Sequence, residues 1–336
     1  FVNNFRGIAA INWTPFKGFK FRSELGMSKN FRKSEGYVAG YGTTTNSASL
    51  QKTESNDLHW TNTASYELPI NNPNHRADLM VGSEWIQSSS DWQRYYAENF
   101  PSHFDRERTL AMLSQGTKNN AYTQYVNLPS KSMSFFARAN YALMDKYLFT
   151  ATFRADGSSK FAPNNRWGYF PAAAFAWRAI DEDFLQGTRD WLSNLKVRLS
   201  YGVTGSDAIS ASLWKETWSL STSATNYTIS GDMNDTNSGY GYPYAPGSMM
   251  QNPDLKWEST ITRNLGVDYG FWDDRLYGTI EGYWSTTNDL LMPVSVNSAS
   301  GYTYQYQKMG VVSNRGLEPS SGGDIVRYSD ASRSAN

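Results

Sequence analysis

Asp181, Glu182 and Asp183 are three consecutive acids, crowded closely enough to raise the question of paired carboxylates doing acid–base work. They fall in a connection between two alternating segments with no pocket signal beside them. A solvated turn or a helix N-terminus, where negative side chains are favoured, is the expected role. Phe153-Arg154-Ala155-Asp156-Gly157-Ser158-Ser159-Lys160 offers the glycine, hydroxyls and lysine of a phosphate cradle, but it lacks the Walker spacing and a following helical pattern. It reads as a strand running into an outward loop, with Arg154 and Asp156 on one parity and expected to pair or line a polar wall. Asp232, Asn234 and Asp235 are spaced like calcium ligands. An EF-hand loop would need glycine where Asn237 stands and a closing carboxylate, so a solvated loop is expected. His59, His75 and His103 make no metal spacing, and with no cysteine there is no thiol or cysteine-based metal chemistry. Serines are abundant without a nucleophile elbow. The expectation is a protein that is not an enzyme and uses no metal or cofactor.

The stronger candidates are rings. Trp92, Tyr95, Tyr96 and Phe100 fall in one expected long loop; Trp214, Trp218, Tyr227, Tyr240, Tyr242 and Tyr244 in a second; Tyr302, Tyr304 and Tyr306 in a third. Aromatic faces stack on sugar rings and on peptide side chains, and a loop cluster above an aqueous interior would meet a ligand first. Membership of an interfacial girdle, or packing of loop on loop, is the competing role.

These loops need elements to carry them, and the elements are strands. In residues 16–28, Phe19, Phe21, Leu25 and Met27 share one parity while Lys20, Arg22, Glu24 and Ser28 share the other. Tyr147, Phe149, Ala151, Phe153 and Ala155 alternate with Lys146, Thr150, Thr152, Arg154 and Asp156; Leu195 to Val203 alternate with Lys196 to Thr204. Further strands are expected at 6–13, 56–68, 76–87, 132–143, 166–179, 257–272, 275–287 and 308–317. Short turns at 15–18, 69–75, 144–145 and 273–274 alternate with long connections at 29–55, 88–131, 205–256 and 288–307, an asymmetry between two ends that an up-and-down meander produces. Helical periodicity is nearly absent.

Composition sets the frame. Lys+Arg 31 balances Asp+Glu 31, so nothing points to nucleic acid. Aromatics reach 15% of the chain, as interfacial belts demand, yet the mean hydropathy is -0.60. No stretch approaches the roughly 18 apolar residues of a spanning helix. A membrane barrel tolerates this polarity, because only alternate residues touch lipid. Strand number, strand length and loop asymmetry favour that class over a small soluble barrel, which writes the same period. The fold expected is all-β: an antiparallel up-and-down transmembrane β-barrel, partial, with about 10–11 strands.

Residues 147–161, reading Tyr147-Leu148-Phe149-Thr150-Ala151-Thr152-Phe153-Arg154-Ala155-Asp156-Gly157-Ser158-Ser159-Lys160-Phe161, are followed by Trp167-Gly168-Tyr169-Phe170-Pro171-Ala172 and Ser200-Tyr201-Gly202-Val203-Thr204-Gly205. Asn252-Pro253-Asp254-Leu255-Lys256-Trp257-Glu258 and Gly310-Val311-Val312-Ser313-Asn314-Arg315-Gly316-Leu317-Glu318 come later. These signatures, in this order, resemble the barrel of the SusC-type TonB-dependent outer-membrane transporters of the Bacteroidetes lineage. The resemblance is strongest from about residue 132. It implies a barrel of about 22 strands closed by an N-terminal plug, energised through TonB in the outer membrane of a Gram-negative bacterium and capped by a SusD-like lipoprotein.

Phe1-Val2-Asn3-Asn4 carries no signal-peptide pattern, and no plug or terminal strand is read. Residues 1–336 are therefore expected to be an internal piece of one such barrel domain. Its expected function is import of a large nutrient, an oligosaccharide or a peptide. Trp92, Tyr95, Tyr96, Trp214, Trp218, Tyr240, Tyr242, Tyr244 and Tyr304 would contact the ligand, and Arg22, Glu24, Arg154 and Arg198 would line the route through. The alternative is a β-rich surface module that binds glycan without transporting it.

Overall fold

The computed structural model describes residues 1–41, 45–220 and 244–323. Its strands are β1 (Val2–Trp13), β2 (Phe19–Val38), β3 (Ser47–Glu67), β4 (His75–Glu98), β5 (Lys118–Val126), β6 (Ser130–Leu143), β7 (Tyr147–Ser158), β8 (Trp167–Arg178) and β9 (Leu192–Ser206). They continue with β10 (Trp218–Leu220), β11 (Tyr244–Pro246), β12 (Met249–Met250), β13 (Glu258–Phe271), β14 (Leu276–Asn288), β15 (Leu291–Ser295), β16 (Tyr304–Lys308) and β17 (Val312–Gly323). One sheet runs β1-β2-β3-β4-β6-β7-β8-β9-β13-β14-β17, with β5 paired to β4 off that path. Next-in-line pairing of this kind is what short turns impose: Met144 and Asp145 both have positive φ, 53° and 52°, the left-handed pair that lets two strands fold back tightly.

The strands outrun the expected ones. β2, β3 and β4 are 20, 21 and 24 residues long, so most of the expected loop 29–55 and the first part of 88–131 are extended ladder. In Asn30–Val38 and Ser47–Ser55 polar side chains stand on both faces. Alternation reports a contrast in burial between two faces, and a strand wet on both sides has none to write. For the same reason β5, exposed at all nine positions, lies inside what the sequence presented as loop. The expected strand 308–317 is shifted to Val312–Gly323, and 288–307 holds β15 and β16.

Contacts divide the chain into two units. In the first (Phe1–Trp13, Phe21–Thr63, Gly82–Ser134), β1 and β2 pair from Val2↔Arg32 to Trp13↔Phe21. The connection after β4 folds into a small core: Phe100, Ala97 and Ala48 are buried, with Tyr37, Phe104, Leu110 and Leu113 against them. Helix α1 (Arg106–Ala111) starts at Asp105, whose carboxylate accepts the Arg108 N–H at 2.8 Å. Asn46 fastens Phe100 twice, donating to its carbonyl at 3.2 Å and accepting its N–H at 2.8 Å.

In the second unit (Thr14–Lys20, Ala64–Val81 and residues from 135 onward) the parities separate cleanly. Leu199, Tyr169, Trp284 and Leu317 are 54%, 63%, 48% and 70% exposed. The registers Phe149↔Phe175, Phe175↔Leu199 and Leu199↔Leu265 set an apolar stripe across β7, β8, β9 and β13. The apolar parity is thus the outer one. Rings collect at both ends of it: Phe135 stacks on Trp167 and Phe153 on Tyr169 (6.1 and 6.2 Å), while Trp191 stacks on Phe271 at 5.9 Å near the short turns. Trp167 and Trp177 are the opposite ends of β8 on this parity. Ten steps are roughly 33 Å along a strand, and a tilt of about 40° turns that into the roughly 25 Å height of a lipid-facing band.

Glycines sit opposite rings repeatedly in this unit: Gly157 faces Trp167, Gly278 faces Tyr269, Gly316 faces Tyr283 and Gly322 faces Tyr277 in the ladder. Added Cβ atoms at Gly316 and Gly322 would lie 2.6 and 2.8 Å from those tyrosine rings. The missing side chain is the space the ring occupies.

Candidate functional site

The face opposite the apolar stripe is built from charges and small groups. Arg198 on β9 donates from Nε and Nη2 to the two oxygens of Asp268 on β13, at 3.0 and 2.9 Å. Thr279 on β14 donates to Asp268 Oδ1 at 2.9 Å, and Glu281 approaches Arg198 at 3.5 Å. The ladder places these groups together, since Asp268↔Thr279 and Asp268↔Lys196 are cross-strand partners. Beside them, Thr150, Thr152, Ala172, Ala174, Ser200 and Gly202 floor a hollow of about 300 Å³. Small residues keep the wall thin there, and a neighbouring hollow of about 280 Å³, sharing Thr150, Ala174 and Ser200, is lined by Arg198 and Glu281.

Arg154 donates to Asp156 Oδ1 at 2.6 Å and its guanidinium lies 5.5 Å from the centre of the Phe136 ring. In the first unit Arg22 bonds Glu24 on the same parity and Asn12 Oδ1 on β1 at 3.1 Å. Each of Arg22, Glu24, Arg154 and Arg198 is thus tied to a polar partner within its own unit. Asp268, Thr279 and Glu281 escaped the sequence reading. Their signal was the even–odd parity of β13 and β14, unusable before the register was known. Breaking the bidentate pair leaves a partly buried carboxylate facing Glu281. Arg198→Ala in the full-length protein should lower stability by about 1–2 kcal/mol. Arg198→Ala with Asp268→Ala should recover part of that loss in thermal unfolding followed by tryptophan fluorescence.

The rings behave differently from the expectation. Trp92, Tyr95 and Tyr96 are not loop residues: they stand on the upper part of β4, paired with β5 in the register Trp92↔Tyr125 and Tyr95↔Tyr122. Trp92 stacks on Tyr125 at 6.0 Å and Tyr95 lies over Tyr122 at 4.8 Å. The Tyr96 hydroxyl donates to Glu98 at 2.5 Å. Phe100 is core. Tyr122 and Tyr125 were overlooked because their strand was hidden in an apparent loop.

Tyr304 is likewise on a strand, β16, in the small sheet β12-β16-β15. It and Tyr306 pack against a buried cluster of Phe161, Leu213, Met249 and Leu255, with Trp257. Trp214 lies in the turn after Leu213 with the Lys215 ammonium 4.8 Å over its ring, and the Tyr302 hydroxyl donates to Glu216 at 3.1 Å. That carboxylate pushes the Tyr302 hydroxyl above its ordinary titration range. Trp218 and Tyr244 fall on the paired β10 and β11. Tyr227, Tyr240 and Tyr242, with Asp232, Asn234 and Asp235, lie outside the described residues.

The buried cluster explains the sequence signatures. Phe161 and Leu255 are 0% exposed, and Trp257 lies 5.4 Å from both Phe161 and Phe170. Trp257 donates its indole N–H to the Arg166 carbonyl at 2.8 Å, and Asn165 donates to the Pro253 carbonyl at 2.9 Å. Ser158 donates to Asp207 Oδ2 at 2.8 Å while Lys160 Nζ donates to the Asp207 carbonyl at 2.8 Å. The Gly-Ser-Ser-Lys run is a loop clasp and not a phosphate cradle: its lysine and serine are spent on Asp207. The stretches around 157–170, 204–207 and 252–258 converge on one small core that gathers connections at the long-loop end.

At the short-turn end the three acids are structural. Glu182 accepts the Tyr147 hydroxyl at 2.5 Å, the Trp177 indole N–H at 3.1 Å and Lys146 Nζ at 3.4 Å. Asp181 pairs with Arg178 at 3.1 Å. The Tyr147 hydroxyl first, then the indole and the ammonium, hold the Glu182 carboxyl below its ordinary range. A carboxyl depressed on folding stabilises above its unfolded pKa, and that contribution disappears as pH falls through the folded value. Glu182→Gln should therefore be less heat-stable than the wild type near neutrality, with the difference shrinking on acidification below the ordinary glutamate range.

The chain matches the family described as TonB dependent receptor-like, beta-barrel over residues 3–331. It is 33% identical over 249 residues to the TonB-dependent receptor SusC of Bacteroides thetaiotaomicron, covering 72% of this chain and 22% of that protein. It is 29% identical over 324 residues to the TonB-dependent receptor P26 of Formosa agariphila, covering 95% of this chain and 31% of the other. The RagAB peptide importer in its closed-closed state superposes with a TM-score of 0.82 at 26% identity, covering 97% of this chain and 34% of that one. The chain thus spans between about a fifth and a third of the length of these relatives.

Proposed function

This chain belongs to the TonB-dependent receptor-like β-barrel family, and we propose that it supplies part of the wall and outer loops of an importer of large nutrients, peptides or oligosaccharides. It is a segment of an outer-membrane β-barrel, and its family is one of receptors rather than enzymes. The uptake role, the TonB drive, the SusD-like lipoprotein lid and the cargo are the proposed part. The observation carrying it is the separation of faces: Leu199 and Tyr169 stand 54% and 63% exposed on one side, while Arg198, Asp268 and Glu281 are bonded together on the other. A wall greasy outside and charged inside encloses a water-filled path in lipid. Ligand would be met by Trp92, Tyr95 and Tyr96 on the paired strands of the first unit, and by Trp214 and Tyr304 beside the buried cluster of the second. Trp218, Tyr240, Tyr242 and Tyr244 keep the proposed role of ligand contact, and Arg22, Glu24, Arg154 and Arg198 that of lining the route.

RagAB is a peptide importer, which favours peptide as one cargo class to try first. The test uses cells carrying the full-length receptor with its neighbouring lipoprotein, given a fluorescently labelled casein digest and, separately, a labelled starch hydrolysate. Accumulation of one of them should require both the receptor and an energised inner membrane. Equal accumulation in receptor-deleted cells would sink the import reading. Surface binding that persists without any energy-dependent uptake would support the glycan-binding module instead. The exposed rings at both ends of the apolar stripe favour the membrane reading over that module, because such belts suit a lipid–water boundary.

A further inference from the structure

We propose that the free edge of β5 is a docking site for a short extended oligopeptide, taken up as an added β-strand. β5 pairs with β4 along one edge only, and among the described residues no strand pairs its other edge. In an antiparallel ladder every second residue turns both its N–H and its C=O away from the partner, so roughly three residues of the regular stretch 121–126 present unpaired donors and acceptors at strand spacing. Water satisfies such a row group by group, whereas another extended backbone matches its spacing and alternation all at once, which favours polypeptide over sugar or lipid.

The edge is blunted at one end only: a bulge opposite Tyr96 and Glu98 and the left-handed Asn119 (φ 51°) interrupt it there, while from Ala121 to Val126 the pairing is regular and carries no charge and no proline. Tyr122 and Tyr125 are 51% and 53% exposed, one on each face, each lying against a ring of β4. An added strand would set alternate side chains against these two ring pairs. The ladder is also bounded. At one end Thr117 and Asn99 bond each other; at the other Asn127 donates from Nδ2 to the Ser90 carbonyl at 2.8 Å and from its N–H to Asp91 Oδ1 at 3.2 Å. Six regularly paired residues between these stops fit a short free peptide. The inference stands on the geometry of β5 and holds whether or not the barrel transports.

Amide hydrogen exchange on the full-length receptor in detergent tests it. The probes are a capped heptapeptide of alternating threonine and tyrosine and its counterpart N-methylated at every second residue along one edge and then along the other. The unmethylated peptide should slow exchange within Lys118–Val126 about tenfold, and one of the two methylated forms should fail to. Tyr122→Ser with Tyr125→Ser, both at exposed positions, should weaken binding of the unmethylated peptide by about fivefold. The proposal is overturned if the outward-facing amides of β5, those not bonded to β4, are already protected in the receptor alone, or if all three peptides protect equally. It is also overturned if none protects, or if only an added partner protein does so.

Discussion

Gly205→Val should cost the receptor about 3 kcal/mol, at the upper end of what overpacking does. Gly205 lies under the ring of Phe170, and a Cβ there would overlap that ring outright. The ring has nowhere to go. Phe170 is 8% exposed, meets Trp257 edge-on at 5.4 Å, and crowds Gly168 on its own strand, where an added Cβ would be 2.5 Å from Cζ. Trp257 in turn is fixed by its bond to the Arg166 carbonyl. The substitution therefore pushes on the whole clasp between β8, β9 and the stretch before β13. The measurement is the temperature at which the full-length barrel loses its fast-migrating folded form on a gel. Phe170→Ala placed in the Gly205→Val background should restore part of the loss, because it empties the space the valine needs. An unchanged transition in Gly205→Val would show that the ring yields freely and that the clasp is loose.

Phe161→Ala should be as damaging, about 3–5 kcal/mol, the usual cost of removing a fully buried phenylalanine. Phe161 has no exposed surface and joins Leu255, Leu213 and Met249 in a cluster too small to close over the cavity left behind. Its loss should be felt more in the loops than in the sheet. Exchange of amides in 207–216 and 249–256 should quicken before any change reaches the ladder of β7 with β8. A uniform rise in exchange across the second unit would instead mean that cluster and sheet unfold as one.

The sheet was legible because lipid on one side and water on the other force a strict period of two. The expected strands 146–156, 166–179 and 193–204 each end within two residues of the bounds of β7, β8 and β9. Legibility stopped where the contrast stopped. Asn30–Val38 and β5 are wet on both faces and wrote no period, so Trp92, Tyr95 and Tyr96 were assigned to a loop that is mostly ladder. The charged wall was readable residue by residue, as Arg154 with Asp156 shows, because one strand holds both. Arg198 with Asp268 was not, because 70 positions separate them and only the register joins them. The clasp was visible only as a set of recognisable stretches; that they meet around Phe161 is a fact of three dimensions.

The length of β4 has a further consequence. Its 24 residues extend roughly 80 Å, whereas crossing a bilayer takes about 9–11. Much of this ribbon therefore stands clear of the headgroups, out where antibodies and phage arrive. Side chains there are released from lipid and answer to their neighbours instead, Ala97 to the small core and Trp92 and Tyr95 to the rings of β5, so only the positions between these anchors can change their coat with little penalty.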